Sequence, residues 1–168
     1  LAVIMQDGIR RMYGPEQENI YYYLTVMNEN YAMPAMPEGA EEGIRKGIYK
    51  LESHEGAKGK VQLMSSGTIM NEVRKAATIL SEEYGVASDV FSVTSFNELT
   101  RDGQNAERYN MLHPEAEAKV PYITTVLGKE PAIAATDYMK NYAEQVRAFM
   151  PTESYKVLGT DGFGRSDS

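Results

Sequence analysis

A chain of 168 residues with 42% hydrophobic and 24% charged residues has the length and composition of one ordinary globular domain. Its 17 Lys and Arg stand against 24 Asp and Glu, so the net charge of −7 has the wrong sign for binding nucleic-acid phosphates. The absence of cysteine excludes disulfides and thiolate metal sites and favours a reducing compartment such as the cytoplasm, and no apolar run is long enough to span a membrane.

The beginning of the chain carries a helix pattern, a strand pattern and then a linker pattern. Apolar residues recur at helical spacing over residues 1–13, and Gly14 and Pro15 follow as a stop signal. The run at 19–26, Asn-Ile-Tyr-Tyr-Tyr-Leu-Thr-Val, is rich in β-branched and aromatic residues, which predicts a buried parallel strand. Residues 28–37 contain Asn and Pro residues that favour turns and oppose helix and sheet, so we expect a linker there.

The rest of the chain alternates strand and helix patterns. The predicted strands cover residues 60–64, 89–93, 132–135 and 155–158. Two predicted helices cover residues 38–46 and 68–84, and two more begin after the N-caps Ser95 and Asp137. Ser95 and Glu98 form a Ser-x-x-Glu capping box. Such alternation predicts an α/β fold with a mostly parallel sheet and helices on both of its faces.

We expect the apolar residues on the inner faces of these elements to form one buried cluster. Its predicted members are Val61, Leu63, Ile69, Val73, Leu80, Val90, Phe91, Val93, Ile133, Met139, Val146 and Val157. A structure that leaves most of them exposed would exclude the α/β assignment.

The histidines give little support for a metal site. His54 and His113 lie far apart in the sequence, and neither belongs to a motif that places two ligands on one metal ion. His113 directly follows a predicted helix and has no visible nucleophile to activate. An imidazole that caps the helix C-terminus is therefore favoured over a catalytic histidine.

Two glycine-containing segments follow predicted strands. Ser-Ser-Gly-Thr at 65–68 opens a helix, where backbone N–H groups can hold an anion, but it lacks the dinucleotide and P-loop motifs. Ser66 as a simple N-cap is favoured there over a phosphate site. Gly-Thr-Asp-Gly-Phe-Gly at 159–164 has no helix after it and is interpreted as a loop whose glycines approach protein rather than ligand. These residues alone indicate no assembled catalytic group.

Several long, ungapped stretches resemble the homodimeric bacterial type of pyruvate dehydrogenase, a family of acetyl-transferring oxidoreductases. The matching stretches include Gln-Glu-Asn-Ile-Tyr-Tyr-Tyr at 17–23 and lie at residues 17–23, 28–31, 33–44, 93–96, 110–114, 136–140 and 159–168. Because the chain begins without an initiator Met or signal peptide and ends without a closing helix or strand, we expect it to be an excised piece. The resemblance implies that this piece is a C-terminal fragment.

The resemblance further implies a transketolase-like architecture. Residues 1–33 would end the pyrimidine-binding middle domain and begin the linker, and residues 34–168 would form a C-terminal domain with about five strands, truncated at its end. Enzymes of this family decarboxylate pyruvate oxidatively and acetylate lipoyl groups with thiamine diphosphate and Mg²⁺. They act as cytoplasmic homodimers that feed a lipoyl acyltransferase core.

The cofactor motif of the family, Gly-Asp-Gly followed by Asn-Asn, is absent from this sequence. The family's activating glutamate and catalytic histidines would lie upstream of Leu1. We therefore expect no catalytic, cofactor-binding or metal-binding residue in this chain, and a structural and dimerisation role instead. The alternative is a standalone α/β module that binds a small molecule at the strand-end crevice near Ser66.

Overall fold

Five strands form one mostly parallel sheet in a computed structural model that describes residues 1–27 and 30–162. The strands are β1 (Ile48–His54), β2 (Lys60–Ser66), β3 (Ala87–Val93), β4 (Ala132–Met139) and β5 (Tyr155–Thr160). Their order in the sheet is β1-β3-β2-β4-β5. All neighbours are parallel except β1, which pairs with β3 in the antiparallel direction at one edge.

Helices cover both faces of this sheet. The helices among the described residues are α1 (Ala2–Tyr13), which packs against α2, and α2 (Glu41–Lys46), α3 (Met70–Glu82), α4 (Phe96–Leu112), α5 (Tyr122–Val126) and α6 (Lys140–Glu144), with 3₁₀ turns at Gly67–Ile69 and Arg147–Phe149. Helix α3 packs on one face, and α4, α5 and α6 pack on the other. The prediction of an α/β fold with a mostly parallel sheet and helices on both faces is confirmed.

The apolar core consists of two clusters instead of the predicted one. Leu63 and Val90 face α3, whereas Phe91 and Val93 face the layer that contains α4. Alternate side chains of a strand point to opposite faces, so the sheet itself separates the clusters. Met139 is half-buried and belongs to neither cluster.

The helix starts show where local signals succeed and fail. The backbone N–H of Glu98 donates to Ser95 Oγ at 3.1 Å, so the predicted cap of α4 is confirmed, although the Glu98 carboxylate pairs with Arg101. The prediction of Asp137 as an N-cap is wrong. Asp137 lies inside β4, which runs longer than its apolar core suggests, and the following helix begins only at Lys140.

At the beginning of the chain, one predicted strand is absent and one observed strand was not predicted. Residues 19–26 do not form the predicted buried parallel strand, because no other strand among the described residues lies beside them. Strand β1 is not among the predicted elements. Polar residues interrupt it at Lys50, Glu52 and His54, a pattern typical of an edge strand with one exposed side.

A buried carboxylate ties the three strands β1, β3 and β2 together. Asp89 accepts hydrogen bonds from Lys50 and Lys60, both at 2.7 Å, and from Ser53 at 2.6 Å. Burial raises the pKa of the Asp89 carboxyl, but these hydrogen bonds outweigh it and lower the pKa to about 2. No short-range pattern links these residues, because the contact depends on how the strands pair.

We expect Asp89→Asn to lower the free energy of unfolding at pH 7 by about 2 kcal/mol. Because the folded-state pKa lies below the unfolded value of 3.8, the stabilisation is complete above pH 4 and is lost as the pH falls towards 2. Urea unfolding at pH 7, 4 and 3 should therefore show that the difference in free energy of unfolding between the original chain and Asp89→Asn becomes smaller as the pH falls. Asp161→Asn, at an exposed pair with Lys140, is the control and should change nothing measurable. A gap that is constant with pH would contradict the charge argument.

Candidate functional site

A cleft of about 520 Å³ lies between the N-terminal segment and the α/β domain. Helix α1 and residues 19–24 form one wall, and α2 with the first turns of α4 forms the other. Its charged side chains are of both signs, and Arg101 is paired with Glu98 at its rim. The lining carries Arg11, Arg45 and Arg101 against the two carboxylates of Asp7 and Glu98, so its surplus is a single positive charge.

Four polar side chains fasten residues 18–22 to α1. Arg11 donates to the Glu18 carboxylate through Nε at 2.8 Å and Nη2 at 2.6 Å, and to the Tyr22 hydroxyl at 2.9 Å. The Tyr22 hydroxyl donates in turn to Asp7 at 2.8 Å. The Tyr22 ring lies over Gly8, where a Cβ would come within 3.2 Å of a ring carbon. The segment is thus held in place without a sheet.

The electrostatics of this network keep the Asp7 carboxylate charged and the Tyr22 hydroxyl protonated. Burial raises the pKa of the Asp7 carboxyl, but hydrogen bonds from Arg10 and Tyr22 outweigh it and hold the pKa below its ordinary value. Burial and the hydrogen bond to Asp7 raise the pKa of Tyr22. At neutral pH Asp7 is therefore a charged acceptor and Tyr22 a neutral donor. The i, i+4 spacing of Asp7 and Arg11 on a predicted helix was the available sequence signal.

We expect Arg11→Met to release residues 18–24 from α1, because it removes the bonds to both Glu18 and Tyr22. The released tyrosines should be cut severalfold faster by chymotrypsin under native conditions. Arg10→Met is the matched control, since Arg10 is exposed and its hydrogen bond runs only to Asp7 in the same helix. Equal cleavage rates for the two variants would show that the network does not hold the segment.

The strand-end crevice near Ser66 does not suit an anion. Ser66 occupies the N-cap position of the 3₁₀ turn, but its side chain makes no capping hydrogen bond, so the predicted cap is right in position and wrong in contact. Thr68 Oγ1 donates to the Asp137 carboxylate at 2.9 Å, and this carboxylate also lies beside Gly67. A negative charge at the start of the helix opposes a bound phosphate.

Both histidines have structural contacts in the fold. His113 is the C-cap of α4, and its Nδ1 lies 3.0 Å from the Tyr109 carbonyl oxygen while its ring stacks on the Tyr109 ring. The predicted cap is confirmed. His54 Nε2 lies 3.2 Å from the Glu52 carboxylate, which also pairs with Arg74. Among the described residues, neither imidazole hydrogen-bonds to a serine or threonine hydroxyl that it could activate.

The glycine-rich segment at 159–164 is only partly described. Gly159 lies in β5, and a Cβ there would come within 2.8 Å of the Tyr138 carbonyl oxygen, so this glycine permits close approach to protein. Around Gly162 a Cβ would meet no atom within 4 Å. Residues 163 and 164, the end of the predicted loop, lie outside the described residues.

Within residues 1–27 and 30–162, no group of three or more His, Asp or Glu side chains is placed to hold a metal ion. In the same ranges, every helix is too short or too polar to cross a bilayer.

Comparison with known proteins places two family models on the chain. The model described as "Transketolase-like TK C-terminal domain" matches residues 47–168. The model described as "Pyruvate dehydrogenase E1 component middle domain" matches residues 1–34.

Relatives match over the whole chain. The pyruvate dehydrogenase E1 component of Escherichia coli (strain K12) is 68% identical over 168 residues, and that of Pseudomonas aeruginosa is 57% identical over 171. In both, the match covers 100% of this chain and 19% of the relative, so the chain spans about a fifth of their length. A transketolase from Campylobacter jejuni aligns with a TM-score of 0.44 and 23% identity over 73% of this chain and 15% of its own. The transketolase-like C-terminal domain model covers residues 47–168, which is most of the sequence. The chain therefore belongs to the transketolase-like C-terminal domain family.

Proposed function

We propose that this chain is the C-terminal part of a thiamine-diphosphate-dependent pyruvate dehydrogenase. The observation that carries this proposal is the 68% identity to a pyruvate dehydrogenase E1 component across all 168 residues. The whole enzyme would decarboxylate pyruvate oxidatively and transfer the acetyl group to lipoyl groups, with Mg²⁺ holding the cofactor. We place it in the cytoplasm as a homodimer that serves a lipoyl acyltransferase core.

Within that enzyme, we propose a non-catalytic role in structure and subunit association for this part. The structural contacts of His54 and His113 support it. We also propose a division between residues 1–33, the end of the middle domain and the start of the linker, and residues 34–168, the C-terminal domain. The ranges of the two family models support this division.

A segment exchange tests the role in the enzyme. In the E. coli relative, the matching fifth of the chain would be replaced by this sequence, and pyruvate-dependent acetylation of lipoyl groups would be measured. We expect activity close to that of the unaltered enzyme, whereas a version that lacks the segment should be inactive. A folded but inactive exchange protein would contradict the family assignment.

Cofactor binding tests the non-catalytic role separately. Isothermal titration of this chain alone with thiamine diphosphate and Mg²⁺ should show no binding, because the sequence lacks the Gly-Asp-Gly and Asn-Asn motif with which the family holds the cofactor. The exchange protein, which contains the upstream domains, is the positive control. Micromolar binding by the chain alone would overturn the non-catalytic role without affecting the family assignment.

A further inference from the structure

A bulge interrupts β4 where it ends beside β5. The register of the two strands shifts between Ala135 and Met139, so residues 136–138 of β4 lie opposite Gly159 alone. We call residues 136–138 the β4 bulge. A bulge bends its strand and redirects side chains away from the ladder. Side chains of the β4 bulge can therefore contact groups outside the sheet.

Gly159 leaves the space that the β4 bulge occupies. A Cβ added there would lie 2.8 Å from the Tyr138 carbonyl oxygen, 3.1 Å from Thr136 Cγ2 and 3.3 Å from the Lys140 backbone nitrogen. Two of these three atoms belong to the backbone, which cannot rotate away as a side chain can. The backbone N–H of Tyr138 also donates to Thr136 Oγ1 at 3.1 Å, which fixes the shape of the bulge. A side chain at position 159 would therefore displace the bulge.

The β4 bulge holds the N-terminal segment of the chain through Tyr138. The Tyr138 and Thr25 hydroxyls share a hydrogen bond of 2.8 Å, and the Tyr138 ring packs edge-on against the Tyr142 ring. Within the described part of the chain, this is the one hydrogen bond between residues 20–27 and residues 47–162. Thr25 and Tyr138 lie in the ranges of different family models. The bond therefore links the proposed middle domain to the C-terminal domain.

Residues 20–27 are held at two points. The Tyr22 hydroxyl is bound by side chains of α1, and Thr25, three residues later, is bound by the β4 bulge. Val26 is 72% exposed, so packing does not hold the residue that follows Thr25. The position of the second half of this segment therefore depends on the bulge.

We propose that the β4 bulge, packed against Gly159, positions the end of the middle domain on the C-terminal domain. This inference rests on the proposed division between the two domains and gives the proposed structural role a specific contact. Tyr138 is a positioning residue, because its hydroxyl fixes Thr25. Gly159 acts through Tyr138, because a larger residue would push the bulge out of place. A change in the pairing of β4 with β5 should therefore alter the order of residues 25–27.

A nitroxide spin label at position 26 measures this order. The chain has no cysteine, so Val26→Cys gives one labelled site at an exposed position. Tyr138→Phe and Thr25→Val each remove one hydroxyl of the pair, and each should shorten the rotational correlation time of the label at least about twofold. The double variant should match the single variants, because the two hydroxyls make one bond. Tyr142→Phe is the matched control, because it removes a neighbouring tyrosine hydroxyl and keeps the ring contact with Tyr138.

Gly159→Ala tests the other half of the proposal. It should shorten the correlation time as much as Tyr138→Phe does, whereas Gly162→Ala should not, because a Cβ at position 162 meets no atom within 4 Å. A folded Gly159→Ala chain with an unchanged label would overturn the role of Gly159. If that variant does not fold, Tyr138→Phe and Thr25→Val decide alone.

An unchanged label in Tyr138→Phe would overturn the whole inference, as would a label that already moves freely in the original chain. These measurements need neither cofactor nor pyruvate. The segment-exchange activity is therefore independent of them, and the two proposals can fail separately.

Discussion

Replacing Gln62 with Glu should lower the free energy of unfolding by about 3 kcal/mol at pH 7. Gln62 in β2 is 2% exposed, and its side-chain amide N donates to the carbonyl oxygens of Gly128 at 3.1 Å and Glu130 at 3.0 Å. Its amide oxygen accepts from the Gly128 N–H at 2.7 Å. A carboxylate keeps this last bond but turns a negative oxygen towards two carbonyl oxygens. The loop that leads into β4 then loses its anchor.

The pH dependence identifies the cause of that loss. A protonated carboxyl can donate to one of the two carbonyl oxygens, so burial and these acceptors raise its folded-state pKa above the ordinary glutamate value of about 4.3. The destabilisation is therefore complete above the folded-state pKa and fades as the pH falls towards 4. Urea unfolding at pH 7 and pH 5 would measure this change. Gln104→Glu, at an exposed site on α4, is the control and should stay within about 0.5 kcal/mol at both values. A pH-independent loss would point to altered packing instead.

The sequence predicts the parallel part of the fold because each of its strands carries its own local signal. Strands β2, β3, β4 and β5 have apolar runs flanked by helical periodicity. The edge strand β1 lacks such a run, since one of its sides meets solvent and its Lys50 and Glu52 serve long-range ion pairs. Its antiparallel partner β3 is separated from it in the sequence by β2. The pair is therefore not joined by a hairpin turn, whose residues would have been a sequence signal for it.

Residues 19–26 show the opposite error, in which a strong strand pattern forms no strand. Propensity describes what a segment can do beside a neighbour, and the described part of the chain provides no neighbouring strand for it. Its actual contacts, from Tyr22 to Asp7 and Arg11, depend on the return of the chain along α1. Of these contacts, the sequence indicates only the i, i+4 spacing of Asp7 and Arg11 on a predicted helix.

The alternative interpretation, a small-molecule module near Ser66, depends on an anion at the start of the helix after β2. The sequence predicts Ser66 and Gly67 at that position. It does not show that β4 lies beside β2, which brings the Asp137 carboxylate into hydrogen-bond contact with Thr68. Asp137 thus lies in β4 and contacts Thr68 instead of capping the following helix. Its carboxylate places a negative charge at the start of the helix after β2. The contact between Thr68 and Asp137 therefore explains two outcomes together, the wrong cap and the unsuitable phosphate site.

Replacing Gly103 with Ala should also destabilise the fold, by about 2 kcal/mol, although alanine favours a helix over glycine by about 1 kcal/mol. Gly103 lies buried in α4, and a Cβ there would come within 2.4–2.5 Å of three carbons of the Phe149 ring. That ring cannot retreat easily, because Phe149 is in the core and its carbonyl oxygen accepts from Thr124 Oγ1 at 2.7 Å. The helix and the ring must therefore move apart.

A second substitution separates this steric clash from a general effect of Ala in α4. In a Phe149→Ala background the ring is gone, so Gly103→Ala should stabilise the protein by up to about 1 kcal/mol through helix propensity. Thermal unfolding of both single variants and the double variant would measure the reversal of sign. Gln104→Ala, one residue along on the exposed side, should stay within about 0.5 kcal/mol in either background. If Gly103→Ala destabilises equally with and without the Phe149 ring, the close approach of α4 to that ring is not the reason for glycine at this position.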